Sequence, residues 1–388
     1  MIRTPVSSLK VAWRKDRVLD SAIERDKRLD LCLRVVREVL LEPRRCIPLR
    51  YLEKRRDRLR LPFRLPTFLS RYPLFFDSYP DRIRPNQPPV PFLRPSPRLN
   101  LFLHRESQIR SDNEALTLAK LCKLLMISKH KVISAEKLLN VKRDFGFGDD
   151  FLVRLVPKHP HLLRLTGNPG EGKSFLELVS WNEDFAKSAI EKRAEEESEL
   201  TGIKMRPNFS VKLPKGFYLR KEMREWVRDW LELPYVSPYA DASGLSQASP
   251  EMEKRTVGVL HEMLSMSVLR RMAVPVMGKF CEEFRFSNAF GNAFTRHSGI
   301  FYVSLKGGIK TAVLREAYDG EGVLVDRDPL MEIRDQFTEL MDEGHKEWKE
   351  RVRLKREAVQ RELEMVAKRN AETCEHDVDD DENEVEKL

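Results

Sequence analysis

Apolar residues recur at i, i+3 and i+4 in three stretches of the chain, and the same succession of patterns follows each. Leu31, Val35, Val39 and Leu40 form the first stripe. Leu118, Leu121, Cys122, Leu125 and Met126 form the second, and Val257, Leu260, Leu264 and Val268 the third. This spacing puts the apolar side chains on one helix face, so each stripe predicts an amphipathic helix against a core. Next come a helical stretch, an RL, FGF or FRF element, another helical stretch, and a short turn motif. The motif reads RYPLFF from Arg71, KHPHLL from Lys158 and RHSGIF from Arg296. Alternating apolar residues then flank a turn. Leu163 and Leu165 precede a Gly-rich turn, and Phe175, Leu176 and Leu178 follow it. Tyr302, Val303 and Leu305 precede Gly307 and Gly308, with Ala312, Val313 and Leu314 after them. Alternation about a turn predicts a β-hairpin. In the first copy, Pro80 to Pro97 is Pro-rich, which speaks against a hairpin because proline cannot donate to a strand ladder.

Three helices and a hairpin make a winged-helix-like unit. The expected fold class is therefore α+β, mainly α with small β-hairpins, as three tandem winged-helix-like repeats. They fall at about 20–105, 112–182 and 250–320, with an insert at 183–249. Within the insert, Trp181 to Leu200 reads as a charged helix starting near Asn182. Beyond Pro329 a long, mostly solvated charged helix is expected (334–370), and then an acidic disordered tail (371–388).

Charge sharpens this picture. The chain has 388 residues, and 70 Lys and Arg against 61 Asp and Glu give a net charge of +9. Residues 371–388 hold nine acids and one base, so residues 1–370 carry +17, and residues 1–110 alone hold 26 bases against 12 acids. A basic body with an acidic tail points to a polyanionic partner, most often nucleic acid. No run of about 18 apolar residues exists, so no membrane-spanning helix is expected. The five cysteines are far apart and form no CxxC, which supports neither a disulfide framework nor a cysteine zinc site, and suits a reducing compartment. HEMLS, from His261, lacks the second histidine of a zinc-protease helix. No metal or cofactor is expected. Residues 1–16 read as either a short targeting segment or a basic arm.

One motif competes with the repeats. GNPGEGKS at 167–174 matches the phosphate-binding loop of NTPases, in which Lys173 would reach the outer phosphates and Ser174 would hold magnesium. Such a loop must open a helix. FLELVSW after Ser174 alternates like a strand, so a hairpin turn is the favoured reading. Cys281 and His297 could make a nucleophile and base, but Cys281 falls beside Phe280 and Phe284 on the apolar side of its helix, which favours a core thiol.

Lys and Arg that contact phosphates release counterions and supply most non-specific affinity. The candidates in the first repeat are Arg55, Arg56, Arg58, Arg60, Arg64 and Arg71. The second offers Lys142, Arg143, Arg154, Lys158 and Lys173, and the third Arg285, Arg296, Lys306 and Lys310. Arg55 to Arg60 could instead be an ordinary solvated helix face, though phosphate contact is the favoured reading. The base that opens each turn motif could instead cap a helix C-terminus. Tyr235 and Tyr239 could stack on bases, although their place between prolines favours a packed structural corner.

Several stretches carry a family resemblance in combination: DSAIERDKRLD (20–30), KLPKGFYL (212–219), LPYVSPY (233–239), VLHEMLSMS (259–267) and FRFSNAFGNAFTRHSGIFYVSLKGGIKTAVLREAY (284–318). With them the chain resembles the plant organelle RNA recognition (PORR) domain family, the WHAT'S THIS FACTOR-type intron-splicing proteins among them. The resemblance covers about residues 17–333. It implies RNA binding in a plant organelle, the mitochondrion favoured over the chloroplast. It also implies a role in splicing group II introns alongside other splicing factors, with no catalysis by the protein. The alternatives are a DNA-binding winged-helix protein and a P-loop NTPase using 167–174.

Overall fold

Each apolar stripe becomes a helix, and each helix opens the same succession of elements. The computed structural model describes residues 14–167, 174–213, 220–306 and 308–385. The first repeat runs α1 (Arg17–Leu40), β1 (Ile47–Pro48), α2 (Leu49–Lys54), α3 (Arg56–Leu59), α4 (Leu65–Arg71), β2 (Phe76–Asp81) and β3 (Val90–Pro95). After α5 (Pro97–Asp112) the second runs α6 (Glu114–Ile127), β4 (Val132–Ser134), α7 (Ala135–Phe145), α8 (Phe151–Arg154), β5 (Leu163–Thr166) and β6 (Phe175–Leu178). The insert holds α9 (Ala189–Thr201) and α10 (Lys221–Glu232). The third repeat runs α11 (Pro250–Met266), β7 (Arg271–Ala273), α12 (Val274–Met277), α13 (Cys281–Phe284), α14 (Gly291–Arg296), β8 (Phe301–Ser304) and β9 (Thr311–Leu314), and α15 (Leu330–Val385) ends the chain. The protein is mainly helical with small antiparallel sheets, an α+β arrangement as expected.

Each repeat forms one three-stranded antiparallel sheet whose last strand is central: β1-β3-β2, β4-β6-β5 and β7-β9-β8. The short first strands carry too few residues to show a period in the sequence. The backbone repeats in finer detail too. A left-handed residue precedes each first strand (Arg45, Lys131, Arg270), and another ends the helical stretch after it (Arg60, Gly146, Arg285).

Three expectations and one alternative, the NTPase loop, need correction. The first repeat does form a hairpin, with Phe76 opposite Pro95 and Asp81 opposite Val90. Its prolines are tolerated because β1 pairs only with Leu93 and Phe92, so Pro91 and Pro95 owe it no donor, and Pro80 lies on an edge strand. In the NTPase reading a helix should follow residue 174. Strand β6 stands there instead, paired antiparallel to β5 with Thr166 opposite Phe175, while Ser174 is buried and its carbonyl accepts from the Ala135 amide. Residues 168–173, Lys173 among them, lie outside the described residues. The insert helix starts at Ala189, not near Asn182, because Ser188 and Glu191 form a capping box. Finally, α15 continues to Val385 through the segment expected to be disordered, which contains neither proline nor glycine to end it.

The chain divides into two compact units, residues 1–27 with 105–333, and residues 28–104 with 334–388. In the second, the first turns of α15 are core, with Phe337, Leu340 and Met341 buried, and Phe337 packs edge-on against Phe102 at 5.9 Å. His345 stacks between Tyr72 at 5.9 Å and Trp348 at 5.2 Å. Only beyond Trp348, over 349–369, is the helix solvated as expected.

In the first unit, repeats two and three share one core, in which Leu121 and Leu125 of α6 and Leu260 and Leu264 of α11 are fully buried. α11 is enclosed on all sides, so its polar side chains must find partners inside. Lys254 is 1% exposed and donates to the carbonyls of Trp230 (3.1 Å), Leu231 (3.0 Å) and Leu233, and burial pulls its pKa down to about 8. Arg255 donates to the carbonyls of Phe284 (3.2 Å) and Pro238 (3.3 Å). Glu262 accepts from Lys123 (2.8 Å), the Ala189 amide (2.7 Å) and the Tyr239 hydroxyl (2.7 Å). The irregular chain of the insert is thereby bonded to one buried helix.

Lys254→Met keeps the volume of the side chain but strands three carbonyls at the end of α10. It should destabilise the protein by about 3 kcal/mol in chemical denaturation, against about 0.5 kcal/mol or less for Leu200→Ala on the surface.

Candidate nucleic-acid interface

The bases that open the turn motifs are tied to the protein itself. In repeat two, Lys158 bonds Glu114 at 2.7 Å, and in repeat three Arg296 bonds Glu253 at 2.6 Å. Both acids stand in the first turn of their repeat's leading helix, α6 or α11. The neighbouring histidines join the same acids, His159 at 3.9 Å from Glu114 and His297 at 3.2 Å from Glu253. Burial holds His297 below its ordinary pKa, while the hydrogen bond and charge of His297, then Arg296, outweigh burial at Glu253 and keep it ionised. Arg71, in repeat one, lies over the rings of Phe63 at 4.3 Å and Trp348 at 5.0 Å, with its Nε buried. The motif that reveals the repeats therefore marks a fastening of each unit, and each of these bases also stands in the last turn of its helical stretch, where a cation is favoured.

The other candidates divide in two. Arg55 bridges Glu38 and Glu42 at 2.7 Å each, and these bonds raise its pKa. Arg58 also reaches Glu38. Arg56 is near Glu53 (4.0 Å) and Asp57 (3.5 Å), Lys142 bonds Asp149 (2.5 Å), and Lys306 lies 3.6 Å from Glu24. By contrast, no ion pair or side-chain hydrogen bond within the described residues holds Arg60, Arg64, Arg143, Arg154, Arg285 or Lys310. Of these, only Arg285 is partly covered, and the rest are exposed. Exposed cations without partners can take a phosphate at no cost in broken bonds.

The tyrosines are structural. Tyr239 is 6% exposed, with its hydroxyl on Glu262 and Lys123 above its ring. The Tyr235 hydroxyl meets Ser188 at 2.9 Å, its ring packs on Phe209 at 5.8 Å, and burial pushes its pKa up. Tyr239 presents no face for stacking and leaves the candidate set, whereas Tyr235 is only partly buried and lines an open groove on the insert. Cys281 is only partly buried, and burial raises its pKa; His297 faces Glu253 and Trp230, so the two form no catalytic pair. Among the described residues no cluster of His, Cys, Asp or Glu could hold a metal ion.

Sequence reasoning missed two features. Lys120, Lys123, Lys254, Arg255, Arg270 and Arg271 are buried, so part of the positive charge never reaches the surface. Their signal is a base inside an otherwise apolar run, as in KLCKLLMI. The other feature is an open groove of about 1380 Å³ on the insert, where Arg206, Arg224 and Arg228 stand beside Val211, Leu213 and Val227.

Among the described residues, repeated helix–hairpin units carry exposed cations that make no ion pair, an arrangement suited to a polyanion. A sequence profile described as the plant organelle RNA recognition domain matches residues 14–346, and the chain belongs to that family. It is 35% identical to Protein WHAT'S THIS FACTOR 1, chloroplastic, of Zea mays, over 87% of this chain and 68% of that one. The Arabidopsis thaliana homolog, also chloroplastic, is 35% identical over 85% of this chain but only 63% of its own length, so the match spans about two thirds of these relatives. Protein WHAT'S THIS FACTOR 9, mitochondrial, of Arabidopsis thaliana is 28% identical over 85% of this chain and 84% of that one. No solved structure matches the chain.

Two measurements check the site's electrostatics. Arg296→Gln should cost about 1–2 kcal/mol of stability because it breaks a half-buried pair, whereas Arg154→Gln should stay within about 0.5 kcal/mol. Glu316 is bonded to His261 (2.6 Å) and Arg193 (2.7 Å). Burial would raise its pKa, but the His261 hydrogen bond, then charge from His261 and Arg193, outweigh it and leave the pKa lowered from 4.5 to about 2. A lowered folded-state pKa contributes stability above 4.5 that is lost as pH falls toward 2. The stability gap between wild type and Glu316→Gln should therefore be constant above pH 4.5 and shrink below it in denaturation curves run across pH.

Proposed function

We propose that this protein binds RNA in a plant organelle, takes group II intron RNA as its target, and promotes splicing by holding the intron in a competent shape. It supplies no chemistry of its own and works with other splicing factors. The observation that carries the reading is membership of a family defined by RNA recognition, over residues 14–346. The six cations without an ion pair or side-chain hydrogen bond among the described residues support it physically, because phosphate contacts provide the sequence-independent part of RNA affinity.

Each repeat is read as a winged-helix-like unit, on the strength of its helix–strand–helix–helix–hairpin order and its central last strand. The RNA-binding region is assigned to residues 17–333, with repeats at about 20–105, 112–182 and 250–320 and the insert at 183–249. The target is single-stranded or irregular RNA, since side chains cannot enter the deep major groove of an A-form duplex.

RNA immunoprecipitation from isolated organelles, sequenced across both organelle genomes, tests this reading. The expected result is enrichment of a few group II intron segments from one genome, with those introns retained when the protein is absent. Recovery of no organelle RNA, or of duplex DNA alone, would overturn it.

A further inference from the structure

We infer that Arg60 and Arg285 are equivalent phosphate-contact residues for single-stranded RNA, each held out from its repeat on a left-handed backbone turn. The inference rests on the RNA-binding reading above and says which side chains carry it.

Both arginines occupy the same place in their repeats, the residue that ends the helical stretch before the RL or FRF element. The backbone bonds coincide. The Arg60 amide donates to Asp57 O (3.0 Å) and the Leu61 amide to Arg56 O (3.2 Å). The Arg285 amide donates to Glu282 O (3.3 Å) and the Phe286 amide to Cys281 O (2.8 Å). In repeat two the Gly146 amide donates to Arg143 O (3.4 Å) and the Phe147 amide to Lys142 O (2.7 Å). This is the helix-ending turn in which glycine is preferred, since a Cβ crowds the backbone at positive φ. The φ angles are 52° at Arg60, 58° at Arg285 and 81° at Gly146.

Glycine in repeat two has a local cause. A Cβ there would lie 2.7 Å from Leu330 Cδ1 and 2.9 Å from Val268 Cγ2. Repeats one and three carry arginine at this place, at a backbone cost glycine would not incur. Within the described residues neither guanidinium makes an ion pair or hydrogen bond that would offset that cost, and the nearby carboxylate of Asp241 acts on Arg285 only through space. Attraction to a helix C-terminus is a weak alternative, as α3 and α13 are four residues each.

Other left-handed bases show what a structural role looks like. Lys131 bonds the Met126 carbonyl and lies 4.8 Å over Trp181. Arg270 bonds Ser267 O at 3.0 Å and Asp326 at 2.8 Å. Arg45 is exposed without a side-chain partner among the described residues, but its counterparts are these two structural residues, so repetition does not single it out. Arg285 further stands near Arg255, a like charge that an added phosphate would offset. Asp241, also close enough to Arg285 to be affected, is already bonded to Ser243 at 2.5 Å.

The test uses the full chain with Arg60→Gly, Arg285→Gly and the double substitution, and Arg270→Gly for contrast. Thermal melting gives Tm, and anisotropy of a fluorescein-labelled single-stranded RNA gives Kd across salt concentrations. Arg60→Gly and Arg285→Gly should leave Tm equal or higher, weaken RNA binding about three- to tenfold each, and lower the salt slope by about 0.7 each. Arg270→Gly should lower Tm. Unchanged Kd in the double variant, or a lower Tm with unchanged Kd, overturns the inference while leaving RNA binding by the protein intact. A wild-type protein that binds no RNA overturns both. Asn, which tolerates positive φ, replaces Gly at either position if a glycine variant does not fold.

Discussion

A buried helix with charged side chains is a constraint that the chain around it must satisfy. α11 encloses Lys254, Arg255, His261 and Glu262, each at most 4% exposed. An isolated charge in such a place costs several kcal/mol, so each demands several partners at hydrogen-bond distance. Repeat two answers with Lys123, and the insert answers with the carbonyls that end α10, the carbonyl of Pro238, the amide of Ala189 and the hydroxyl of Tyr239. This explains how a stretch with little regular structure has a defined path. It also explains why LPYVSPY is a structural corner: Tyr239 completes the polar shell of α11, and the Tyr235 hydroxyl meets Ser188, the cap of α9.

The same economy sorts the cations. A base that meets an acid across the fold stabilises the repeat and is occupied, as Lys158 and Arg296 are. A base that meets no acid among the described residues is available to an external anion. Identical chemistry thus serves two ends within one repeat, and partnership separates them. Residues of the first kind resist replacement through stability, and residues of the second kind through binding.

Much of the fold was legible because helix periodicity survives in a single chain. Leu121, Leu125, Leu260 and Leu264 all stand where their stripes place them, and the second and third hairpins follow from alternation about glycines. Strands of two or three residues such as β1 were invisible because they carry no period. Pro80 and Pro91 misled because the cost of a proline depends on which neighbour the strand has, and that is a fact of sheet order. The apolar start of α15 looked sparse because Phe337, Leu340 and Met341 are diluted by charge. The candidate site was legible only in outline. Composition counts bases but cannot show that Arg296 meets Glu253 or that Lys254 is buried, since those pairings exist only after folding.

The central claim is that RNA affinity comes from cations the fold leaves without partners. The direct measurement is the salt dependence of binding to single-stranded RNA, between about 50 and 200 mM salt, for wild type and for a variant with Arg60, Arg64, Arg143, Arg154, Arg285 and Lys310 replaced by glutamine. At about 0.7 counterions released per single-strand phosphate contact, the variant's log–log slope should be shallower by about four, with its fold intact. An unchanged slope, or an affinity that does not depend on salt, would contradict the account.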